Sequence, residues 1–135
     1  MQLRRLAPAF EGMKTVFVSV GPHYAVHVPN ARYYSVRNAH RLNKAGLLQL
    51  TLQLARIVLV ERPDVVVTTG AAPGYIGMML AKILWRSKTI WIDSMANCDE
   101  MSRSGRLARR FSDVWLTQWP HLAEDVGPHY WGAVL

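Results

Sequence analysis

Two short stretches of the chain hold residues whose types and spacing bear on chemistry. The first is Thr69-Gly70-Ala71-Ala72-Pro73-Gly74, which follows the β-branched run Val65-Val66-Val67-Thr68. Gly70 and Gly74 reach backbone angles barred to other residues, and small alanines let a ligand approach the main chain. Where such a turn opens a helix, the first N–H groups have no intrahelical acceptor and favour an anion, a phosphate above all. The same small residues also serve any turn from strand to helix. Neither G-x-G-x-x-G nor the Lys-Ser/Thr ending of a phosphate loop is present, so both readings stay open.

The second stretch runs from Ile92-Asp93-Ser94-Met95-Ala96-Asn97 through Cys98 to Ser104-Gly105. It follows a predicted strand at its C-terminal end, where ligands bind in open α/β sheets. A carboxylate at Asp93 is placed to accept a proton or to orient a substrate hydroxyl, the work of a general base. As plain structure, Asp93 and Ser94 are turn formers, and Ser102 or Ser104 caps a helix. Other catalytic signals are weak. His23 and His27 lie four apart but are bracketed by Pro22 and Pro29, so no metal site is expected. Cys98 has no Cys-His cluster around it, and no G-x-S-x-G occurs.

The elements that must position these stretches alternate in type. Residues 2–10 read as a short helix, Lys14 to Val20 as a strand, and residues 23–44 as loop with a short strand near Tyr33 to Val36. A helix is predicted from about Lys44 to Glu61 and a buried strand from Val65 to Thr69. A second helix spans Tyr75 to Leu84, followed by a strand from Lys88 to Ile92. Helix at Gly105 to Phe111, strand at Val114 to Thr117, and a turn at Trp119-Pro120 into a last short helix complete the pattern. Such alternation predicts an α/β, Rossmann-like fold with a parallel sheet. Doubly wound domains usually open on a central strand, whereas this chain opens on a helix, as if its first strand were missing.

At 135 residues the chain is one domain, half of it hydrophobic. A single cysteine excludes an internal disulfide framework. Sixteen basic against nine acidic residues give a net charge of +7, which favours anionic partners without choosing among them. The start, MQLRRLAPAF, has charges where a signal peptide needs an apolar core. The apolar run Leu47 to Val60 has 14 residues; as a helix it covers about 21 Å, short of a bilayer core of roughly 30 Å. Its polar residues Gln49, Gln53 and Arg56 share one face, leaving apolar groups around most of the circumference. That helix is either core on nearly all sides, or it offers a spare face carrying Leu50, Leu54 and Ile57 to a membrane or partner. Arg37, Arg41 and Lys44 just before it lean towards an anionic membrane surface.

The stretches DVVVTTGAAPGYIG and IDSMANCDEMSRSGRLARRFSDVWLTQWP, with the closing YWGAVL, resemble one known family. It is the membrane-anchoring subunit of the two-part UDP-N-acetylglucosamine transferase of lipid-linked oligosaccharide synthesis, with bacterial relatives serving exopolysaccharide glycosyltransferases. The resemblance is strongest over residues 61–135. Its most specific part is Ser-Gly-Arg-Leu followed by Asp-Val-Trp-Leu-Thr-Gln-Trp-Pro.

The resemblance implies a fold, a partner and a location. The fold would be the N-terminal, acceptor-side half of a GT-B glycosyltransferase, and the partner would be a separate catalytic subunit, the C-terminal half. This subunit would be inactive alone. It would sit peripherally on the cytoplasmic face of a membrane: the inner membrane in a bacterium, the endoplasmic reticulum in a eukaryote. There it would present a polyprenyl-pyrophosphate-linked sugar to a UDP-sugar shared with the partner, and it would need neither a cofactor nor nucleic acid. Thr69, Gly70, Ala71, Ala72 and Gly74, with Ser94 and Asn97, would face the acceptor phosphates, and Trp119 would join the membrane or partner contact. Members of the family commonly carry glutamate where Asp93 stands, one methylene longer. They also begin with a strand and a Gly-Gly-His turn, which are lacking here; a misassigned start codon is the expected reason. The competing expectations are a stand-alone nucleotide-binding α/β protein and a basic nucleic-acid binder.

Overall fold

The computed structural model describes residues 2–28, 30–39 and 42–134. Its elements, in chain order, are α1 (Gln2–Arg5), β1 (Val16–Val20), β2 (Arg32–Val36), α2 (Lys44–Glu61), β3 (Val65–Thr68), α3 (Ala71–Trp85), β4 (Lys88–Ile92), α4 (Arg103–Ala108), β5 (Val114–Thr117) and β6 (His129–Tyr130), with 3-10 turns between some of them. The strands form two parallel pieces. β1 pairs with β2 from Val16 opposite Arg32 to Val20 opposite Val36. A second sheet runs β3-β4-β5-β6, every neighbour parallel. The α/β architecture expected from the alternation is therefore present. The two pieces are not paired with each other among the described residues, and a cavity of about 550 Å³ between β1 and β3 is lined by both strands.

Two apolar clusters hold the layers. Leu50 and Leu54 of α2 are buried with Val36 and Ala39, and Val18, Val20, Ile57, Ile76 and Leu80 pack against them. This cluster joins the β1–β2 pair to α2 and α3. The second cluster centres on Met78, Trp91 and Ala108, so that it fastens α3 and α4 to the larger sheet. Leu50, Leu54 and Val58 recur every four residues, the spacing that keeps one helical face on the core.

Element ends follow local chemistry. α2 starts where the Asn43 side chain accepts the Gly46 N–H at 2.9 Å, an N-cap. Arg37 donates to Gln49 Oε1 at 2.6 Å, and its N–H to Gln53 Oε1 at 3.1 Å, which occupies the polar face noted in the sequence. At the other end Glu61 accepts from Arg32 and from Tyr34, both at 2.7 Å, tying α2 back to β2. The two partners hold the Glu61 carboxyl below its ordinary range, Tyr34 contributing most.

Where the structure departs from the expected elements, backbone chemistry explains it. Residues 2–10 are not one helix: α1 stops at Arg5 and a 3-10 turn spans Ala7–Phe10, with Pro8 lacking the N–H that a continuing helix needs. α3 begins at Ala71 rather than Tyr75, so the small-residue turn is its first turn. The final segment makes a 3-10 turn, Pro120–Leu122, and then β6, which period-based reading misses because only two residues pair.

Lys82 of α3 meets Asp113 ahead of β5 at 2.6 Å, and Asp113 also accepts the Thr89 N–H at 2.8 Å. The lysine contact holds the Asp113 carboxyl below the ordinary 3.8. A depressed carboxyl contributes its stability above that unfolded value and loses it as pH falls through the lower folded one. We predict that Asp113→Asn lowers stability at pH 7 by roughly 1–2 kcal/mol. The gap to the parent should shrink below pH 3.8; melting curves from pH 7 to pH 2.5 measure both.

Candidate functional site

Three loops converge beyond the C-terminal ends of β3, β4 and β5. In the first, Gly70 has φ 116° and ψ −164°, a region essentially reserved for glycine, and Ala71 follows at φ 63°. Gly74 packs so closely on β3 that an added Cβ would collide with the Thr68 hydroxyl and lie 3.2 Å from Thr68 Cβ. Absence of a side chain at Gly74 therefore sets how tightly α3 follows its strand. No side chain caps the N-terminus of α3. Pro73 brings no N–H, so the main-chain donors of this first turn are Ala71, Ala72 and Gly74. Ala71 is exposed, and Thr69, Gly70, Ala72 and Gly74 are half-buried.

The second loop is built on Asp93, 2% exposed. Its Oδ1 accepts from Trp91 Nε1 at 3.1 Å and from the Ser102 hydroxyl at 2.6 Å. Its Oδ2 accepts from Asn97 Nδ2 at 3.2 Å and from the Ser102 N–H at 2.8 Å. Ser102 in turn caps α4 by accepting from Gly105 N at 2.8 Å. Asp93, the expected catalytic base, is thus held within the chain. Both oxygens are committed to donors of this chain, so the residue positions the loop and the start of α4. Ser94 and Asn97 share that work: the Asn97 N–H donates to Ser94 O at 3.0 Å, and Ser94 Oγ accepts from Ala96 N at 3.3 Å.

The third loop locks the second. Gln118 donates to Asp93 O at 2.8 Å and to Gln2 Oε1 at 3.1 Å, while its Oε1 accepts from Val134 N at 2.8 Å. The indole of Trp119, half-buried, donates to Met95 O at 3.0 Å. Trp91, Ser102 and Gln118 were not among the expected site residues. For Gln118 a signal existed, because Thr117-Gln118-Trp119-Pro120 follows a strand's end as Asp93 does.

The structure brings the Gly70 and Ser94 loops together: a Cβ on Gly70 would stand 4.0 Å from Ser94 N. The result is a rim of main-chain groups and small residues, suited to an anion. Among the described residues no group of three or more histidine, cysteine, aspartate or glutamate side chains could hold a metal.

The expected membrane or partner face needs a correction. Leu50 and Leu54 are buried and Ile57 packs beside them, so that face of α2 is core. Leu48, Leu52 and Leu59 point outward instead, the first two 61% exposed. At 100° per residue, positions 48 and 50 lie about 200° apart, so the helix is apolar on two opposite sides. Lys44 is exposed at the start of the same helix, and Arg41 lies outside the described residues. Among the described residues no helix is long and apolar enough to cross a membrane.

A parallel α/β sheet with its loops gathered at one rim defines this chain as a Rossmann-like domain of the kind that forms the N-terminal half of a GT-B glycosyltransferase. The crystal structure of MurG from Acinetobacter baumannii has the same fold, with a TM-score of 0.70 at 13% identity; the match takes in 98% of this chain and 40% of that one. Residues 13–134 match the family model "Oligosaccharide biosynthesis protein Alg14 like", and the chain belongs to that family. It is 31% identical over 86 residues to the UDP-N-acetylglucosamine transferase subunit ALG14 of Eremothecium gossypii, covering 60% of this chain and 38% of that protein. Against the mouse (Mus musculus) subunit of the same name it is 33% identical over 73 residues, half of this chain and 34% of the mouse protein. The aligned segments thus span between a third and two-fifths of those relatives. The resemblance read from the sequence is confirmed.

Two outcomes test the site geometry. Asp93→Ala leaves the Trp91 indole and the Ser102 N–H without their acceptor. It should cost at least ~2 kcal/mol and speed amide exchange at Ser102 and Gly105; a carboxylate held for chemistry alone would leave both unchanged. Leu54→Asp should unfold the protein, costing more than about 3 kcal/mol, as circular dichroism reports, rather than yield a folded protein freed from membranes.

Proposed function

We propose that this chain is the acceptor-side subunit of a two-part glycosyltransferase. It holds a polyprenyl-pyrophosphate-linked sugar at the rim of Thr69–Gly74 and Ser94–Asn97, while a separate catalytic subunit supplies the UDP-sugar site. The observation that carries this reading is the chemistry of the rim. An uncapped helix N-terminus of small residues suits a phosphate. Asp93, the acid at the end of β4 beside this rim, accepts four hydrogen bonds within the chain. A rim that meets an anion through main-chain donors leaves the donor sugar and its chemistry to a partner in this reading. Family membership and the names of its relatives favour UDP-N-acetylglucosamine as the donor.

Membrane association in this reading is peripheral, on the cytoplasmic face where the nucleotide sugar is found. The outward stripe of Leu48, Leu52 and Leu59, with Lys44 at its start and a chain charge of +7, is the surface for it.

The test is reconstitution with a membrane-borne polyprenyl-pyrophosphate-linked N-acetylglucosamine acceptor and radiolabelled UDP-N-acetylglucosamine. The chain alone should transfer nothing and should show no saturable UDP binding by calorimetry; co-expressed with a GT-B C-terminal-half partner, it should transfer. Transfer by the purified chain alone overturns the two-part reading. Saturable UDP binding in its absence would favour a stand-alone nucleotide-binding protein.

A further inference from the structure

We propose that Trp119 and His121, with Gln118 beside them, are positioning residues for acceptor binding. They grip main-chain carbonyls of the loop after β4 and so set which way its polar groups face. This inference rests on the acceptor-side reading above.

The paired residues of β4 and β5 end where Ile92 stands opposite Leu116, and one further bond, Asp93 N to Leu116 O at 2.9 Å, follows them. Past that point side chains replace the main chain as donors. Gln118 Nε2 donates to Asp93 O at 2.8 Å, and Trp119 Nε1 to Met95 O at 3.0 Å. His121 Nε2 lies 2.6 Å from Cys98 O. A carbonyl only accepts, so His121 carries a proton on Nε2. Donors from residues 118–121 thus hold acceptors from residues 93–98.

The donors are themselves fixed. Trp119 N–H donates to Thr117 Oγ1 at 3.2 Å, and the 3-10 turn Pro120–Leu122 brings the His121 ring to 5.9 Å from the indole. Leu122 N closes that turn on Trp119 O at 3.1 Å. A short proline-led turn therefore aims two side chains at one loop.

What the grip decides is polarity. The carbonyls of Asp93, Met95 and Cys98 are drawn towards the segment after β5, and Ser94 O takes the Asn97 N–H at 3.0 Å. The Ser94 N–H has no acceptor among the described residues, and Ser94 N stands 4.0 Å from where a Gly70 side chain would begin. A phosphate is attracted by N–H groups and repelled by carbonyl oxygens, so one peptide turned over in this loop reverses its effect on the ligand. Losing the Trp119 or His121 donor frees the Met95 or Cys98 peptide to turn. Gln118 also holds Gln2 and Val134, at 3.1 and 2.8 Å, so its loss reaches further than the loop.

The chain is titrated with inorganic pyrophosphate while the amide signals of Ser94 and Asn97 are followed by NMR, beside Trp119→Phe, His121→Ala and His121→Gln. Shifts in the parent should saturate. Trp119→Phe keeps a ring without its N–H, and His121→Ala removes the imidazole. Each should weaken binding by about threefold or more and speed exchange of the Ala96 and Asn97 N–H groups. His121→Gln, whose amide nitrogen donates from nearly the same place, should restore both. Equal affinity in the parent, Trp119→Phe and His121→Ala overturns the positioning role and leaves the acceptor-side reading standing. Weakening in His121→Ala that His121→Gln does not reverse also overturns it. No saturable shift in the parent sinks the acceptor-side reading, and the positioning role with it. Melting curves identify a variant that fails to fold; His121 is exposed, so the alanine and glutamine variants decide the matter if Trp119→Phe is lost.

Discussion

Among the described residues the two sheet fragments are not paired with each other, so their relative position depends on side-chain packing in the layer of α2 and α3. Val18 and Val20 of β1, Val36 of β2, Leu50 and Leu54 of α2, and Ile76 and Leu80 of α3 occupy one cluster. Packing of this kind specifies distance and direction less strictly than a ladder does, because it is built from many weak contacts. Ion pairs and caps add the missing directionality. Glu61 fixes the end of α2 to β2 through Arg32 and Tyr34. The Trp85 indole donates to Val58 O at 3.0 Å and lies under the Arg62 guanidinium, so the ends of α2 and α3 are fastened together. Everything at the rim inherits its geometry from this layer, since α3 carries the Gly70 loop and the larger sheet carries the other two.

Within the rim, order passes from the interior outward. Trp91 is fully buried and fixes one oxygen of Asp93; Asp93 then fixes Ser102, and Ser102 fixes the first turn of α4. Gly105 must lack a side chain for this to work, because a Cβ there would stand 2.6 Å from Asp93 Oδ1. Gln118 closes the circuit from the neighbouring strand. A buried polar network whose members are all satisfied holds one conformation. The loop it supports is held in place by the chain's own groups.

Much of this was legible in the sequence. Period and punctuation placed α2, β3, β4 and β5 closely, because strongly apolar runs are bounded by Pro63-Asp64, Arg86-Ser87 and Ser112-Asp113. What failed had physical reasons. Pro73 sits in the first turn of α3, where a missing N–H does no harm, and so a real helix start read as a loop. Asp93 was placed correctly at a strand end, but only the fold shows that Trp91 and Ser102 reach it. On α2, hydropathy alone could not decide between two apolar faces, and the face chosen was the inner one.

That double-sided helix has a consequence for substitution. Leu50 and Leu54 answer to the volume of a fixed interior, so a change there must be matched by a neighbour such as Val36 or Leu80. Leu48, Leu52 and Leu59 are exposed, so a change there is free of that packing constraint. Two sets of leucines in one helix are therefore under separate constraints: the inner set is tied to the volume of this chain's interior, and the outer set is not.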